Sequence, residues 1–563
     1  MLPAARDLLI FVLLLGGPAL ALAPLIPRSD PLARLSLALG LTLVALYLTA
    51  FGLYAADLPF RWFALVPVLG WLAAVARHRA SREFCGRRTV RAATGRWLLL
   101  ALWCLGWAAL VVNYSGGGWC GDWQEHYDRA QFFLMHWPRN AVFLHLYPLP
   151  ARPPLANLNE AGFLALAGGA FWHHQIFLTL LSTLCFFPLA HLVGRRDGSP
   201  RAQALLLLLL CASPLVVQNA TFAWTKLPAA FFILLAAAEL SRSGRDIEPG
   251  RILAGALALA AGLLVHYSAG PWIVGLGLAW LWQTRGRWRD GGIARETLLA
   301  TVLAAALLAT WFGWSIAQYG VTETFTANST VALAPGGGPA ERAGRAAANL
   351  FWTFCPAVTL GIRPDVLVQS SQLGQWRDFW FCLYQLNLPL SLGTAGWLVL
   401  LWKTRRDPAA KIPGFWWLAA VPVVILGTAA HGAPDLLGLT HIALQPLVLL
   451  GLAALAAGAE RLPGWLARLW AAALALDCVL GILMHFSLQA LWPDRWLHPS
   501  ATPTEILSTY TRPAALNFRA KQDMELVFLA DRIPAVPVLC AVAIIALMIL
   551  HGWNRHRGAR PAG

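Results

Sequence analysis

The sequence has very few charged residues for its length. Only 12% of its 563 residues are Asp, Glu, Lys or Arg, whereas soluble domains average about 25%. A water-soluble fold of this size could not cover its surface with so few charges, and 58% of the residues are hydrophobic. A soluble enzyme, a secreted disulfide scaffold and a disordered chain are therefore excluded. We expect a polytopic membrane protein.

Lysine is scarce and cysteine motifs are missing. The chain has 4 Lys against 39 Arg, and most of the Arg lie in short connectors between apolar runs. Scattered connector charge is what the positive-inside rule produces, whereas a nucleic-acid-binding protein concentrates its charge on one face. The nine Cys include no Cys-x-x-Cys pair, so the redox and zinc motifs built on that pair are absent. We expect membrane lipids as partners and no nucleic acid.

Apolar runs long enough to span a membrane core of about 30 Å recur along the whole chain. They predict an all-α bundle of about 15 transmembrane helices, and the first run lacks a small-residue cleavage site, so we expect it to be retained. The runs are 8–27, 32–54, 60–76, 97–113, 175–194, 202–220, 226–241, 252–267, 271–284, 297–316, 381–402, 414–430, 436–458, 469–489 and 534–551.

Arg-rich connectors predict the orientation of these helices. Segment 77–96 holds seven Arg against one Glu and is placed in the cytoplasm. Alternation from there gives an outside N-terminus and puts the other Arg-rich segments inside as well. These are 28–34, 195–201, 242–251, 285–295, 403–411, 461–468 and 555–560. The bias towards Arg, Ala, Leu and Gly indicates a GC-rich bacterial genome, so we expect a multi-pass protein of the bacterial inner membrane.

Three long segments fall outside on this topology: 114–174, 317–380 and 490–533. Loops of this length are usually functional or disordered. Because these contain aromatic residues and isolated charges, we expect ordered segments along the membrane surface and place the active site on the extracytoplasmic side. Segment 161–172 is predicted as an interfacial or re-entrant helix that ends near His173 and His174, followed by one crossing.

The first long loop contains a Gly-rich turn followed by a charged helical stretch that begins at Asp122. In a helix, Asp122, Glu125, His126 and Arg129 would share one face. Such a face suits general-base catalysis on a hydroxyl group, or binding of a divalent metal ion together with a phosphate. Asp122 and Glu125 are therefore candidate catalytic residues and candidate metal ligands. The alternative is a capping box with an ordinary Glu125–Arg129 ion pair.

Three further motifs follow in order. Arg152-Pro-Pro-Leu lies about thirty residues after the acidic motif, Phe222-Ala-Trp-Thr-Lys226-Leu-Pro opens a helix, and Val265-His266-Tyr267 ends another. As an ordered set over roughly 97–316, they resemble the GT-C-fold glycosyltransferases, in particular the protein O-mannosyltransferase and aminoarabinose transferase families. The carboxylates are split here, whereas those families usually have an adjacent Asp-Glu, and Lys226 stands where they often have Asp.

The resemblance implies a GT-C-like helical bundle and a polyprenyl-phosphate-linked sugar as donor. It divides the chain into extra N-terminal helices (1–96), a catalytic core (97–316) and C-terminal helices (317–563). Besides the two carboxylates, the expected substrate-binding residues are His126, Tyr127, Arg129, Arg152, Lys226, His266 and Tyr267, with Arg363, Arg377 and Arg519 as further candidates for binding phosphate. A disulfide between Cys120 and Cys355 is a weaker hypothesis.

The favoured function is transfer of a sugar from this lipid donor to an acceptor, with inversion of configuration. Asp122 is the first choice as general base and Glu125 the second, a divalent metal ion is the one cofactor considered, and the acceptor is left open. A transporter or lipid flippase is the competing class, but it would place ionisable residues at mid-membrane and show repeated halves. A third hypothesis is an O-antigen polymerase or ligase, because proteins of that kind also have large outside loops.

Overall fold

The computed structural model is a bundle of α-helices with one very short β-ladder. It describes residues 2–112, 114, 122–143, 147–196, 198–241, 248, 250–327, 338–341, 343, 344, 347, 414–429, 442–458, 464–466, 468, 469, 472, 475, 476, 479 and 526–557. The ladder pairs β1 (Val142–Phe143) with β2 (Tyr147–Pro148) in antiparallel register. The predicted all-α class is otherwise confirmed in this part of the chain.

Most helices coincide with the apolar runs, but three lie in segments predicted as a connector or a loop: His78–Gly86, Asp122–Leu134 and Leu155–Ala167. Those up to the middle of the chain are α1 (Leu2–Leu22), α2 (Pro31–Ala55), α3 (Leu65–Ala76), α4 (His78–Gly86), α5 (Arg88–Ala108), α6 (Asp122–Leu134), α7 (Leu155–Ala167), α8 (Phe171–Thr183), α9 (Phe186–Arg196), α10 (Pro200–Ala212) and α11 (Pro214–Thr221). After these come α12 (Lys226–Leu240), α13 (Arg251–Val265), α14 (Gly270–Thr284), α15 (Gly291–Thr326), α16 (Gly414–Ala429), α17 (Gln445–Gly458) and α18 (Ala535–Arg557). The predicted run 381–402 and most of 469–489 lie outside the described residues.

Several of these helices can cross a membrane. Five described segments are long and apolar enough by themselves: Ala4–Leu25, Pro31–Ala55, Phe171–Arg195, Gly291–Thr326 and Ala535–Asn554. Two more candidates are bent, by 90° where α3 meets α4 and by 62° where α10 meets α11. The protein is thus a multi-pass membrane protein, and the total of about 15 crossings stays a prediction.

Burial separates the centre of the bundle from its periphery. Every residue of α8 and of α12 is buried. By contrast, α3 exposes Leu69 and Leu72, α15 exposes Leu298, and α18 exposes Leu547, each by 60% or more. Large apolar side chains exposed in rows on outer helices are unfavourable in water, so these helices face the hydrocarbon of the bilayer.

The outer helix α3 packs closely against α1 through glycines. A Cβ atom on Gly17 would lie 2.6 Å from the Trp71 ring, and one on Gly70 would lie 2.4 Å from Pro18. Contacts between helices in a bilayer depend on packing of this kind, because lipid tails are as apolar as the side chains they replace. Glycine therefore allows these two helices to approach one another.

Charged residues gather at the two ends of the bundle. At one, the connector end, Arg28 forms an ion pair with Glu239 at 2.9 Å and Arg195 donates to Ser241 at 3.2 Å. Arg28 also lies 3.7 Å from Glu248, so the described residues of the predicted cytoplasmic segments 28–34, 195–201 and 242–251 share one end. The opposite end, the loop end, carries α6 and the residues that follow it.

The crossing after the first long loop starts earlier than predicted. Helix α7 ends at Ala167 and the span begins at Phe171, so His173 and His174 lie in the first turn of the span and not at the end of an interfacial helix. The break falls at Gly168, whose φ of 122° an L side chain rarely adopts. Helix α7 itself is inserted into the bundle, because Asn159 donates to the carbonyl of Leu43 in the middle of α2.

The two ends of the bundle should be accessible from opposite sides of the membrane. We expect a membrane-impermeant maleimide added to intact cells to label Asn140→Cys and to leave Arg79→Cys unlabelled until the cells are opened. Both positions are exposed, and they lie on the loop α6–α7 and on α4. The measurement needs a parent chain whose nine native Cys are replaced by Ser. Labelling of both variants from the same side would contradict the topology.

Candidate active site

Helix α6 begins at Asp122, where the sequence predicts a helix start after the Gly-rich turn. The turn itself, 115–121, and the side chain of Asp122 lie outside the described residues, so the predicted capping role is not tested. Of the four residues predicted to share a face, Glu125, His126 and Arg129 do so, and all three are buried. The helix therefore presents its most polar face to the protein interior.

Glu125 is held between two arginines. Arg129, one turn further along α6, reaches one carboxylate oxygen at 2.9 Å, and Arg152 reaches the other at 3.2 Å. The predicted Glu125–Arg129 ion pair is thus confirmed and joined by a second cation. Burial alone would raise the pKa of Glu125, but Arg152 and then Arg129 lower it well below its usual range. Glu125 is therefore ionised and a weak base.

Arg129 is anchored from several sides. Its guanidinium donates to the carbonyl oxygens of Leu149 at 2.7 Å and Pro148 at 3.1 Å, and lies 4.3 Å from the centre of the Phe143 ring. With only 1% of its surface exposed, this side chain satisfies its donors within the protein, as a buried arginine must. The β-ladder thus fixes Arg129, and through it Glu125.

His126 connects α6 with two other segments. Its Nδ1 lies 3.3 Å from Asn157 Oδ1 on α7, and its Nε2 lies 3.5 Å from the hydroxyl of Thr225. Burial, together with Arg152 and Arg129, lowers the pKa of His126 to about 3 against the opposing effect of Glu125. The imidazole is therefore neutral at physiological pH. Lys226, beside Thr225, is 4% exposed and places its ammonium 3.4 Å from the centre of the Trp224 ring.

His266 and Tyr267 complete the cluster. His266 lies within electrostatic range of Arg152, Lys226 and His126, and the Tyr267 hydroxyl donates to the carbonyl of Pro150 at 3.1 Å. The structure therefore brings together six of the seven predicted substrate-binding residues. We call these six, with Glu125, the cation cluster: Glu125, His126, Arg129, Arg152, Lys226, His266 and Tyr267.

The seventh residue, Tyr127, lies on a different side of α6 from the cation cluster. Its hydroxyl donates to the carbonyl of Gly169 at 2.7 Å, and its ring packs edge-on against His174 with 5.5 Å between centroids. Gln131, one turn further on, donates to the same carbonyl at 2.8 Å. This second polar stripe of α6 contacts the break between α7 and α8.

Asp128 belongs to the second stripe and was not predicted as a site residue. One carboxylate oxygen accepts a hydrogen bond from Gln124 at 3.2 Å. Burial raises the pKa of Asp128 to about 6, although Gln124 and His174 oppose the change. A carboxyl group that titrates near neutral pH suits proton transfer. The polar spacing of residues 124, 127, 128 and 131 on α6 is the sequence signal that could have revealed it.

The predicted metal site finds little support around Glu125. Both oxygens of this carboxylate are engaged by arginines, and two adjacent cations oppose binding of a third. Within the described ranges, no three His, Cys, Asp or Glu side chains are grouped so as to hold a metal ion. A metal ion at Asp122 stays a prediction. Cys120, Cys355, Arg363, Arg377 and Arg519 also lie outside the described residues.

Comparison with known proteins finds similarity only among solved structures. No family model and no curated protein matches the chain. The first similar structure is ArnT from Cupriavidus metallidurans bound to undecaprenyl phosphate, with a TM-score of 0.49, 16% identity and coverage of 81% of this chain and 74% of that chain. The second is the same protein in the apo state, with a TM-score of 0.46, 17% identity and coverage of 81% and 75%.

Proposed function

We propose that the protein is a membrane glycosyltransferase. It transfers a sugar from a polyprenyl-phosphate donor to a hydroxyl group of an acceptor on the extracytoplasmic side, with inversion at the anomeric carbon. The observation that carries this proposal is the cation cluster at the loop end of a lipid-facing helical bundle. The ordered motifs that resemble the GT-C families support the same function.

The charge of the cation cluster suits a phosphate group. Arg129, Arg152 and Lys226 are cations. Among the residues of the cluster, Glu125 is the carboxylate that offsets part of their positive charge. A sugar phosphodiester carries one negative charge, and the lipid phosphate that leaves carries up to two. Fixed cations therefore stabilise the leaving group more strongly than the bound donor, which is the condition for lowering a reaction barrier.

The setting of the cluster suits a lipid-linked donor. Outer helices expose long apolar side chains to the bilayer, so a polyprenyl chain can approach within the membrane while its phosphate reaches the loop end. A water-soluble sugar nucleotide would not need such a bundle. Lateral entry of the lipid keeps the reacting sugar away from bulk water, which otherwise competes as acceptor.

Asp128 is the general base in this proposal. Its carboxylate takes the proton from the acceptor hydroxyl, the acceptor oxygen forms a bond to the anomeric carbon, and the bond between that carbon and the phosphate oxygen breaks. The electron pair of the broken bond leaves with the lipid phosphate, towards Arg152 and Lys226. Charge develops on the sugar as in glycoside hydrolysis, and one displacement gives inversion.

Binding and turnover of defined lipids test the proposal. Purified protein in lipid nanodiscs should bind polyprenyl phosphate, and the unphosphorylated polyprenol should not compete for the site. A panel of labelled polyprenyl-phosphate sugars should yield one that releases polyprenyl phosphate and transfers its label. Equal binding of polyprenol and polyprenyl phosphate would overturn the phosphate assignment, and vectorial movement of lipid without release of sugar would favour a flippase.

Arg152 should affect turnover as well as donor affinity. We expect Arg152→Gln to lower kcat/KM for the donor about ten- to hundredfold, with part of the loss in kcat, because a hydrogen bond to a charged group contributes about 1.5–3 kcal/mol. Arg139→Gln is the control, since Arg139 lies on the exposed side of the loop and donates to Gln318 at 2.7 Å. Steady-state kinetics against donor concentration measure both, and an unchanged kcat/KM in Arg152→Gln would remove Arg152 from the phosphate site.

A transporter finds no specific support in the described residues. Their arginine–carboxylate pairs with buried carboxylates include those at the connector end, around Glu239, and at the loop end, around Glu125, and two further buried carboxylates, Asp7 and Glu160, are each bound by a histidine at the start of α8. A transport pathway would instead place ionisable groups at the middle of the bilayer.

A further inference from the structure

A short helix at the connector end runs across the direction of the bundle. Helix α3 packs along α1, one of the segments that can span the membrane. At Arg77 the chain turns by 90° into α4, so α4 lies along the membrane surface. The hydroxyl of Ser81 donates to the carbonyl of Ala74 at 3.2 Å, and Phe84 is 2% exposed. One side of α4 is therefore fixed to the bundle.

The other side of α4 and the start of α5 expose arginine side chains. Residues 77–91 contain one carboxylate, Glu83, and it lies 3.8 Å from Arg87. The other five arginines of this stretch are all exposed. Within the described part of the chain they form no ion pair. We call them the α4 surface: Arg77, Arg79, Arg82, Arg88 and Arg91.

The arginines of the α4 surface lie close to one another. Arg79 and Arg82 are three residues apart on α4, and Arg88 and Arg91 are three apart on α5. Residues at this spacing are neighbours on a helix, and like charges on neighbouring positions are destabilising. An anion held between two such guanidinium groups removes the repulsion, so the surface favours a ligand that carries negative charge.

Arginines in other connectors at the same end have partners within the protein. Arg28 and Arg251 lie 2.9 and 3.6 Å from a carboxylate oxygen of Glu239. Arg285 lies 3.8 Å from the centre of the Trp282 ring. The positive-inside rule accounts for the presence of arginine in all these connectors. It does not account for a fixed surface on which five arginines are exposed together.

Lipid headgroups lie next to the α4 surface. The outer side of α3 exposes a row of apolar side chains that ends with Leu72 and Val75, which are 61% and 64% exposed. Arg77 follows two residues later, so the α4 surface begins where the lipid-facing row ends. The phosphate groups of the bilayer lie at this level, and anionic lipids there attract arginine side chains close to a membrane segment.

We propose that the α4 surface binds anionic phospholipids, such as phosphatidylglycerol, in the leaflet at the connector end. A guanidinium group donates two hydrogen bonds to a phosphate group in a geometry that fits its oxygens. A zwitterionic lipid carries an ammonium group beside its phosphate, so its net attraction to the arginines is smaller. This inference concerns the end of the bundle opposite the cation cluster and does not rest on the proposed function.

Native mass spectrometry of the full chain, titrated with phosphatidylglycerol in detergent, tests the proposal. We expect Arg79→Gln/Arg82→Gln to weaken binding about tenfold or more, because each arginine beside an anionic lipid contributes about a factor of five. Phosphatidylcholine of the same chain length should bind the wild type more weakly and should not respond to the substitutions. Equal affinity for the two lipids, or an unchanged affinity for phosphatidylglycerol in the variant, would overturn the proposal.

Arg289→Gln/Arg295→Gln is the matched control. Both arginines are exposed, and they flank the start of α15. This segment reaches the connector end, because Glu296 accepts a hydrogen bond from the backbone N–H of Ile252 at the start of α13. The control removes the same charge from a place where Asp290 and Glu296 lie beside the arginines, so the affinity for phosphatidylglycerol should not change. An equal loss in both variants would mean that the lipid responds to total charge, and the α4 surface would lose its role.

Two further measurements separate lipid binding from other causes. Arg79→Lys/Arg82→Lys keeps the charge, so we expect it to bind phosphatidylglycerol nearly as well as the wild type. A loss as large as that of the glutamine variant would show that charge is not what binds the lipid. Inorganic phosphate at the concentration of the lipid should not displace it, because the acyl chains hold the lipid beside α3. Displacement would mean that the surface binds a free anion, and the lipid assignment would fail.

Discussion

Asp128→Asn should lower kcat by about 10²–10⁴-fold, the usual loss when a general base is removed. The amide keeps the size of the side chain and can still accept the hydrogen bond from Gln124, so we expect the variant to fold. It cannot take a proton at neutral pH. Single-turnover kinetics with saturating donor measure the chemical step directly, and thermal unfolding of the purified variant verifies its stability.

Asp122→Asn is the comparison that decides between two carboxylates. The sequence favours Asp122 as base because it comes first after the Gly-rich turn, and asparagine caps a helix about as well as aspartate. If Asp128 is the base, Asp122→Asn should keep at least about a tenth of the wild-type rate. If Asp122→Asn is inactive and Asp128→Asn is active, the assignment of the general base is reversed. Full activity of both would place the base elsewhere in the chain.

Glu125→Ala should be the most destabilising single change at the site. The substitution leaves Arg129 and Arg152 close together in a buried environment without the carboxylate between them. Removing one partner of a buried ion pair costs about 3–5 kcal/mol. We expect a clear loss of thermal stability in detergent, together with poor expression, before any effect on catalysis can be assigned.

Glu83→Ala provides a matched control for that change. Glu83 also forms an i,i+4 pair with an arginine, Arg87 at 3.8 Å, but the side chain of Glu83 is 78% exposed at the connector end. Exposed pairs of this kind contribute about 0–1 kcal/mol. Similar losses of stability in the two variants would mean that Glu125 is solvated in the protein and that its pair with the arginines is not a buried one.

The contrast between Glu125 and Asp128 shows how one helix supplies two kinds of carboxylate. Three residues apart on α6, they have different neighbours: Glu125 lies between two guanidinium groups, whereas Asp128 is partly buried and accepts a hydrogen bond from Gln124. The first is kept ionised and organises the cation cluster. The second titrates near neutral pH and can exchange a proton. Opposite shifts in neighbouring acids are a common mark of active sites.

The sequence by itself determined the class of protein, most helix positions and one ion pair. Apolar runs become helices because a bilayer leaves backbone groups no other partner, and the described residues of three Arg-rich segments, 28–34, 195–201 and 242–251, share one end. The Glu125–Arg129 pair follows from helix geometry, because residues four apart are neighbours. The order of the motifs also indicated that Arg152, Lys226 and His266 belong to one site.

Only the tertiary structure decided what each acidic group can do. Arg152 reaches the free oxygen of Glu125 because the chain folds back after the β-ladder, and no local rule fixes that contact. Asp128 has an unremarkable place in the motif. Its raised pKa comes from burial, which outweighs the opposing effects of Gln124 and of His174, 46 residues away in the sequence. A pKa is the sum of desolvation and of charges within a few ångströms, and both are properties of packing between helices that sequence spacing does not contain.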